Sequence, residues 1–295
     1  MNTELSLRLK TAGILIGLLA SVGGLSLYFC FFKWLLFDIG ILAIGLAAYE
    51  YASFSSAGSS GARVGVLSRT TIFLILILPT LAVTYGATIL GICQTSALDS
   101  SLITLALLGY LIGVICLGFL MLRVREGTIA LILSAFGERM IALLFFGFCA
   151  SFLLIIAASE DAFLDIVWIV SVVAVADSVA YFCGKRFGRT PFATLVSPNK
   201  TWEGAGAGLV CAALTGGLLS GIIGSGFSLT FGSLLGLVVA GSSQVGDLTK
   251  SLLKRIHGVK DSGTLLPGHG GVLDRIDGHI AAAPLYYLLH EWLTW

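Results

Sequence analysis

Charge is the scarcest property of this sequence. Its 295 residues include 16 acidic and 17 basic side chains, 11% of the total, whereas a soluble globular domain carries about 25%. That shortage, with 57% hydrophobic residues and a mean hydropathy of +1.00, excludes an ordinary soluble domain. A net charge of +1 gives no global attraction for a partner, nucleic acid included. Short strands alternating apolar and polar residues are missing, which excludes an outer-membrane barrel. The six cysteines (Cys30, Cys93, Cys116, Cys149, Cys183 and Cys211) are scattered through apolar runs without a CxxC. They read as small buried hydrophobes, and no His/Cys set suggests zinc. Neither a soluble domain nor an internal repeat is visible.

What the chain does have is apolar runs long enough to cross a bilayer. About nine can be counted, near 11–32, 35–49, 71–92, 101–121, 140–158, 164–183, 205–224, 227–246 and 278–294. The expected fold class is therefore an all-α polytopic membrane protein. The apolar segment 127–137 is too short to cross and reads as interfacial or re-entrant. The run from Thr11 to Phe32 is longer than a signal-peptide core and reads as an uncleaved first helix. With the N-terminus cytoplasmic, the inner segments carry almost all Lys and Arg, and the outer ones hold Lys33 alone. The outer segments instead carry Asp38, Asp99, Glu160, Asp161 and Asp165, so the positive-inside rule favours this count. The C-terminus is then periplasmic, with Trp292 and Trp295 as interfacial anchors. The expected organisation is an N-terminal region 1–160 of about five helices and a catalytic region 161–295 with cytoplasmic loops 184–204 and 247–277. The Ser/Gly-rich segment 50–70 reads as a flexible cytoplasmic connection.

The pointed chemistry lies after Asp177. This carboxylate sits inside an apolar run, about 10–12 Å along the helix from Lys185. An ionisable residue there is costly and marks a functional site or a structural ion pair. Lys185, Arg186 and Arg189 follow and suit a positive-inside anchor touching anionic lipid headgroups. Thr201 and Glu203 suit the start of the next helix as cap and first-turn acid, and Gly204, Gly206 and Gly208 suit close helix packing. Then comes Ser251–Asp277, SLLKRIHGVKDSGTLLPGHGGVLDRID, where charge is concentrated. On a helix, Asp247, Ser251, Lys254 and Arg255 share one face. Pro267 to Gly271 reads as a tight turn whose glycines let backbone amides approach a ligand, and His269 within it is a candidate phosphate donor. Asp274 and Asp277 recur at helical spacing. Carboxylates beside cations at a membrane surface suit Mg²⁺ held partly by substrate phosphates.

The spaced residues Ser251, Leu253, Lys254, Arg255, Lys260, Asp261, Gly263, Leu266, Pro267, His269, Gly270, Gly271, Val272, Asp274, Arg275, Ile276 and Asp277 resemble the signature of the phosphatidate cytidylyltransferases, the CDP-diacylglycerol synthases. Two further pieces resemble that family in order: Asp177 with Ala180, Tyr181, Phe182 and Gly184, and Ser197-Pro198 with Lys200-Thr201-Trp202-Glu203-Gly204. The resemblance covers 177–295, and Asn199 stands where the family often has Lys. It implies transfer of a cytidylyl group from CTP to phosphatidate in phospholipid biosynthesis, with release of pyrophosphate and dependence on Mg²⁺. It implies Asp247 and Asp274 as metal ligands, in a site that can also take a monovalent cation such as K⁺. With Asp277 and Lys254 they form the expected catalytic set. Asp177, Lys200, Ser251, Arg255, Lys260, His269, Gly270, Gly271 and Arg275 are the expected substrate-binding set. CTP, phosphatidate and membrane lipids are the expected partners, nucleic acid is not, and a homodimer is compatible with the pattern. The expected location is a bacterial inner membrane with the site facing the cytoplasm. The competing readings are a CTP-dependent polyprenol or diacylglycerol kinase and, from outside enzymology, an anion transporter.

Overall fold

The computed structural model describes residues 30–57, 70–77, 129–159, 161–223, 228–266 and 270–294, with scattered positions between 13 and 25 and residue 80. Its elements in chain order are helices α1 (Cys30–Ala57) and α2 (Ile129–Ala142), a π-helical segment (Leu143–Cys149), α3 (Ala150–Ala157), α4 (Ala162–Phe187), strands β1 (Pro191–Ala193) and β2 (Ser197–Thr201), and helices α5 (Trp202–Ile223), α6 (Leu229–Ile256) and α7 (Leu273–Thr294). Five helical stretches are long and apolar enough to cross a membrane: Leu35–Ser56, Phe136–Ala157, Ala162–Phe187, Trp202–Ile222 and Leu229–Ile256. This is the make-up of a mostly helical, multi-pass membrane protein. Part of the span expected at 11–32, most of that at 71–92 and all of 101–121 lie outside the described residues.

Two segments differ from the expectation. The first is 50–57, which continues α1 instead of opening a loop. Ala47, Ala48, Tyr51 and Ala52 are fully buried, so the apolar stripe runs on past Glu50. Ser53 and Ser56 donate back to the carbonyls of Tyr49 (2.7 Å) and Ser53 (3.0 Å), which satisfies their hydroxyls inside the helix. The second is 127–137. From Ile129 onward it is helical and runs through the π-helical segment into Ala150–Ala157 without a break, so it leads into the neighbouring span.

The chain divides into two compact units, Met1–Glu160 with Leu253–Ile276 and Asp161–Leu252 with Asp277–Trp295. In the first unit the Tyr51 ring packs at 5.3 Å from Phe54 and 5.4 Å from Phe146. Its hydroxyl donates to Glu138, whose Oε1 is also 2.8 Å from His257 Nε2. The residue that follows α6 is thereby tied to the helices of the N-terminal half.

In the second unit, α4 and α5 approach closely because α5 offers glycine where α4 offers backbone. A Cβ on Gly204 would lie 2.5 Å from the Ala180 carbonyl, and one on Gly208 would lie 2.7 Å from that of Ala176. Gly206 faces open space, so the packing role falls to Gly204 and Gly208. Gly208→Val is expected to destabilise the protein by about 1–3 kcal/mol through overpacking, while Gly206→Ala should be neutral or mildly stabilising. Thermal unfolding in detergent checks the pair, and equal transitions for both would refute this account of the contact. Trp168, 2% exposed, donates to the Gly216 carbonyl at 3.2 Å and stacks at 5.3 Å from Tyr286.

The β-hairpin was not foreseen. It pairs Pro191 with Thr201 and Ala193 with Ser197 in antiparallel register. Thr190 secures its base, where its backbone N–H and its hydroxyl (2.6 Å) donate to Glu203. Thr201 caps α5 as expected, accepting from the Gly204 N–H at 3.3 Å.

Candidate active site

Among the described residues, six of the ionisable side chains singled out in the sequence fall in two clusters, one in each unit. The cluster in the second unit centres on Asp247, in α6. Lys200 comes from β2, directed there by the hairpin, and its ammonium lies 2.5 Å from Asp247 Oδ2. Lys250, one turn on from Asp247, lies 3.0 Å from Oδ1 and also pairs with Asp277 at the start of α7. Lys250 and Asp277 are each 7% exposed, and the Asp247 side chain is 35% exposed. Asp177, on the exposed side of α4, is within electrostatic reach of Asp247, Lys200 and Lys250. Three carboxylates and two ammonium groups thus share one patch. Buried charges of this kind persist because each has a partner.

The cluster in the first unit centres on Asp274, in the first turn of α7. Lys254 donates to its Oδ1 at 2.8 Å, and Ser262 donates to Oδ2 from its N–H (3.1 Å) and its hydroxyl (2.8 Å). Burial by itself would raise the Asp274 carboxyl, but the Lys254 and Ser262 hydrogen bonds outweigh it and hold it down to about 2. It is therefore ionised at neutral pH. Its contribution to stability is complete above the ordinary carboxylate value and is lost as pH falls through about 2. Glu50, 3% exposed, lies behind this group and accepts from the N–H groups of Val272 (3.0 Å) and Leu273 (2.9 Å). The turn that reads as Pro267–Gly271 is closed by reciprocal backbone hydrogen bonds between Leu266 and Gly270 at 2.9 and 3.1 Å. Gly270 has φ +82°, a left-handed conformation that glycine adopts without strain. Pro267, Gly268 and His269 lie outside the described residues.

Of the residues singled out in the sequence, Asp177, Lys200, Asp247 and Asp277 fall in the first of these clusters, and Lys254 and Asp274 in the second. Ser251 is half-buried on α6, whereas Arg255, Lys260 and Arg275 are exposed. Gly271 is buried, and a Cβ there would meet Glu50 and Ser262. Sequence reasoning passed over Lys250, Ser262 and Glu50. Lys250 had a signal, its i,i+3 spacing from Asp247. Glu50 had a weaker one, an acid at the end of an apolar run. Ser262 had none.

Among the described residues, no three His, Cys, Asp or Glu side chains converge into a closed metal cage. The donors on hand are carboxylate oxygens flanked by lysines. Such a set fits a hard cation that takes its remaining ligands from phosphate and water, and it does not fit a soft metal.

The described helices include five long and apolar enough to cross a membrane, as in a multi-pass membrane protein, and the paired carboxylates and lysines near their ends are the kind of donors a hard cation and phosphate would take. The chain belongs to the Cytidylyltransferase family, whose model matches residues 10–293. It is similar to the phosphatidate cytidylyltransferase of Brucella melitensis, 46% identical over 147 residues that cover 50% of this chain and 54% of the relative. It is also similar to the Helicobacter pylori protein of the same name, 46% identical over 132 residues covering 43% of this chain and 48% of the relative. It is similar as well to the Arabidopsis thaliana phosphatidate cytidylyltransferase 4, chloroplastic, 49% identical over 116 residues covering 39% of this chain and 29% of the relative. The chain spans about half the length of the first two relatives.

Proposed function

We propose that the protein is a phosphatidate cytidylyltransferase that makes CDP-diacylglycerol in a bacterial inner membrane, with its site on the cytoplasmic side. The observation that carries this reading is Asp247 held between Lys200 and Lys250. Carboxylate and ammonium groups side by side are what two phosphate-bearing substrates and a divalent ion require. In the proposed reaction a phosphate oxygen of phosphatidate attacks the α-phosphorus of CTP. The bond from that phosphorus to the oxygen bridging the β-phosphate breaks, and pyrophosphate leaves with the electron pair. The nucleophile belongs to the substrate, so no Ser or Cys nucleophile is needed. Mg²⁺, when bound, supplies charge neutralisation at the transferring phosphates.

The protein's own residues then position charge. Asp247 and Asp274 are the proposed metal ligands, and a monovalent cation such as K⁺ is a proposed second ion. Lys200 and Lys254 hold phosphate oxygens, and Asp177 and Asp277 orient the cations. Ser251, Arg255, Lys260, His269, Gly270, Gly271 and Arg275 complete the proposed substrate surface. Incubating purified protein with labelled CTP, phosphatidate and Mg²⁺ tests the reading, and formation of CDP-diacylglycerol with stoichiometric pyrophosphate is expected. Release of CDP with a phosphorylated lipid product would replace it with the lipid-kinase reading.

A further inference from the structure

Glu50 is an N-terminal carboxylate bound to a loop more than two hundred residues away, with sequence separations of 222 to Val272 and 223 to Leu273. The final helix begins at Leu273, which leaves Val272 at the position where a Ser, Thr, Asp or Asn side chain would normally cap it. Valine has no oxygen to offer. From another helix, Glu50 accepts the N–H groups of Val272 and Leu273, at the N-cap and first helical positions, and places negative charge at the helix N-terminus.

The loop is shaped around this carboxylate. A Cβ on Gly263 would lie 2.6 Å from Glu50 Oε1, and one on Gly271 would lie 2.5 Å from Oε2. Either substitution would push the carboxylate out of its seat. Ser262 connects it to the site: its hydroxyl lies 3.2 Å from Glu50 Oε2 and 2.8 Å from Asp274 Oδ2. A hydroxyl has one proton to donate. The position of Glu50 therefore bears on how Ser262 holds Asp274.

We propose that Glu50 is a positioning residue for Asp274, capping the last helix across the fold and, through Ser262, setting the carboxylate that binds the divalent ion. This rests on the reading of Asp274 as a metal ligand. Changing groups that orient metal ligands typically lowers metal affinity about 10–100-fold. The test uses full-length protein in detergent and follows the rise in unfolding temperature with Mg²⁺, a readout that needs no substrate. Glu50→Gln, Glu50→Ala and Gly263→Ala should each move the Mg²⁺ midpoint up by about 10-fold or more. In the CTP assay, the same variants should need more Mg²⁺ for half-maximal rate and recover within a few-fold of the parent rate at saturation. Ser262→Ala, which removes the connecting hydroxyl and leaves the cap in place, should shift the midpoint in the same direction. It also keeps the test decisive if the Glu50 variants do not fold. Variants that unfold more easily at an unchanged Mg²⁺ midpoint would reduce Glu50 to a structural cap and overturn the proposal, as would a parent protein that Mg²⁺ does not stabilise. A parent that Mg²⁺ stabilises but that makes no CDP-diacylglycerol would overturn the proposed reaction and leave the role of Glu50 standing.

Discussion

Asp274→Asn is expected to lower the rate of CDP-diacylglycerol formation by at least about 10²-fold while leaving the protein folded. Asparagine keeps the shape of the side chain and an oxygen that can accept from the Ser262 N–H and hydroxyl, so the local hydrogen bonding at 3.1 and 2.8 Å has a replacement. What it loses is the negative charge, which the fold favours so strongly that the carboxyl is held down to about 2. Under the proposed function that charge binds the divalent ion, and an amide oxygen is a far weaker ligand for Mg²⁺. Turnover measured beside thermal unfolding checks both halves of the expectation. A variant retaining more than about a tenth of the parental rate, well short of the loss expected for a lost electrostatic contact, would remove Asp274 from the metal-binding role.

Lys250→Met should produce the largest loss of stability. Its ammonium pairs with both Asp247 and Asp277 while only 7% exposed. Methionine fills much the same volume and leaves two neighbouring carboxylates without the cation between them. Removing one partner from a buried ion pair costs about 3–5 kcal/mol because the remaining charge is stranded. The double variant Lys250→Met with Asp277→Asn should recover part of that loss, since one stranded charge is then neutral. Unfolding midpoints of the parent, both single variants and the double variant give the coupling directly. If the loss from Lys250→Met stays under 1 kcal/mol, or the second substitution brings no recovery, the bridging role is refuted.

Much of the site was legible in the sequence because charge is rare in this chain. Asp177, Lys200, Asp247, Lys254, Asp274 and Asp277 stand out against apolar surroundings, and helical spacing alone suggested which of them share a face. Lys250 was passed over because its spacing from Asp247 resembles an ordinary helix-surface pair, and only its burial and its second contact, to Asp277, set it apart. The hairpin at 191–201 was invisible because strands of three and five residues are too short to show alternation.

The sequence by itself determined that this is a helical membrane protein, through runs of apolar residues that have no stable alternative in water. It also picked out the ionisable side chains of the candidate site, because such groups are too costly in such a chain to be placed without partners. The tertiary structure alone decided what each charge is paired with. Glu50 sits under the start of the last helix, Ser262 joins it to Asp274, and Lys200 reaches Asp247 from a hairpin. Those pairings depend on which helices pack together and where glycine leaves room, and sequence spacing does not encode such distances across the chain.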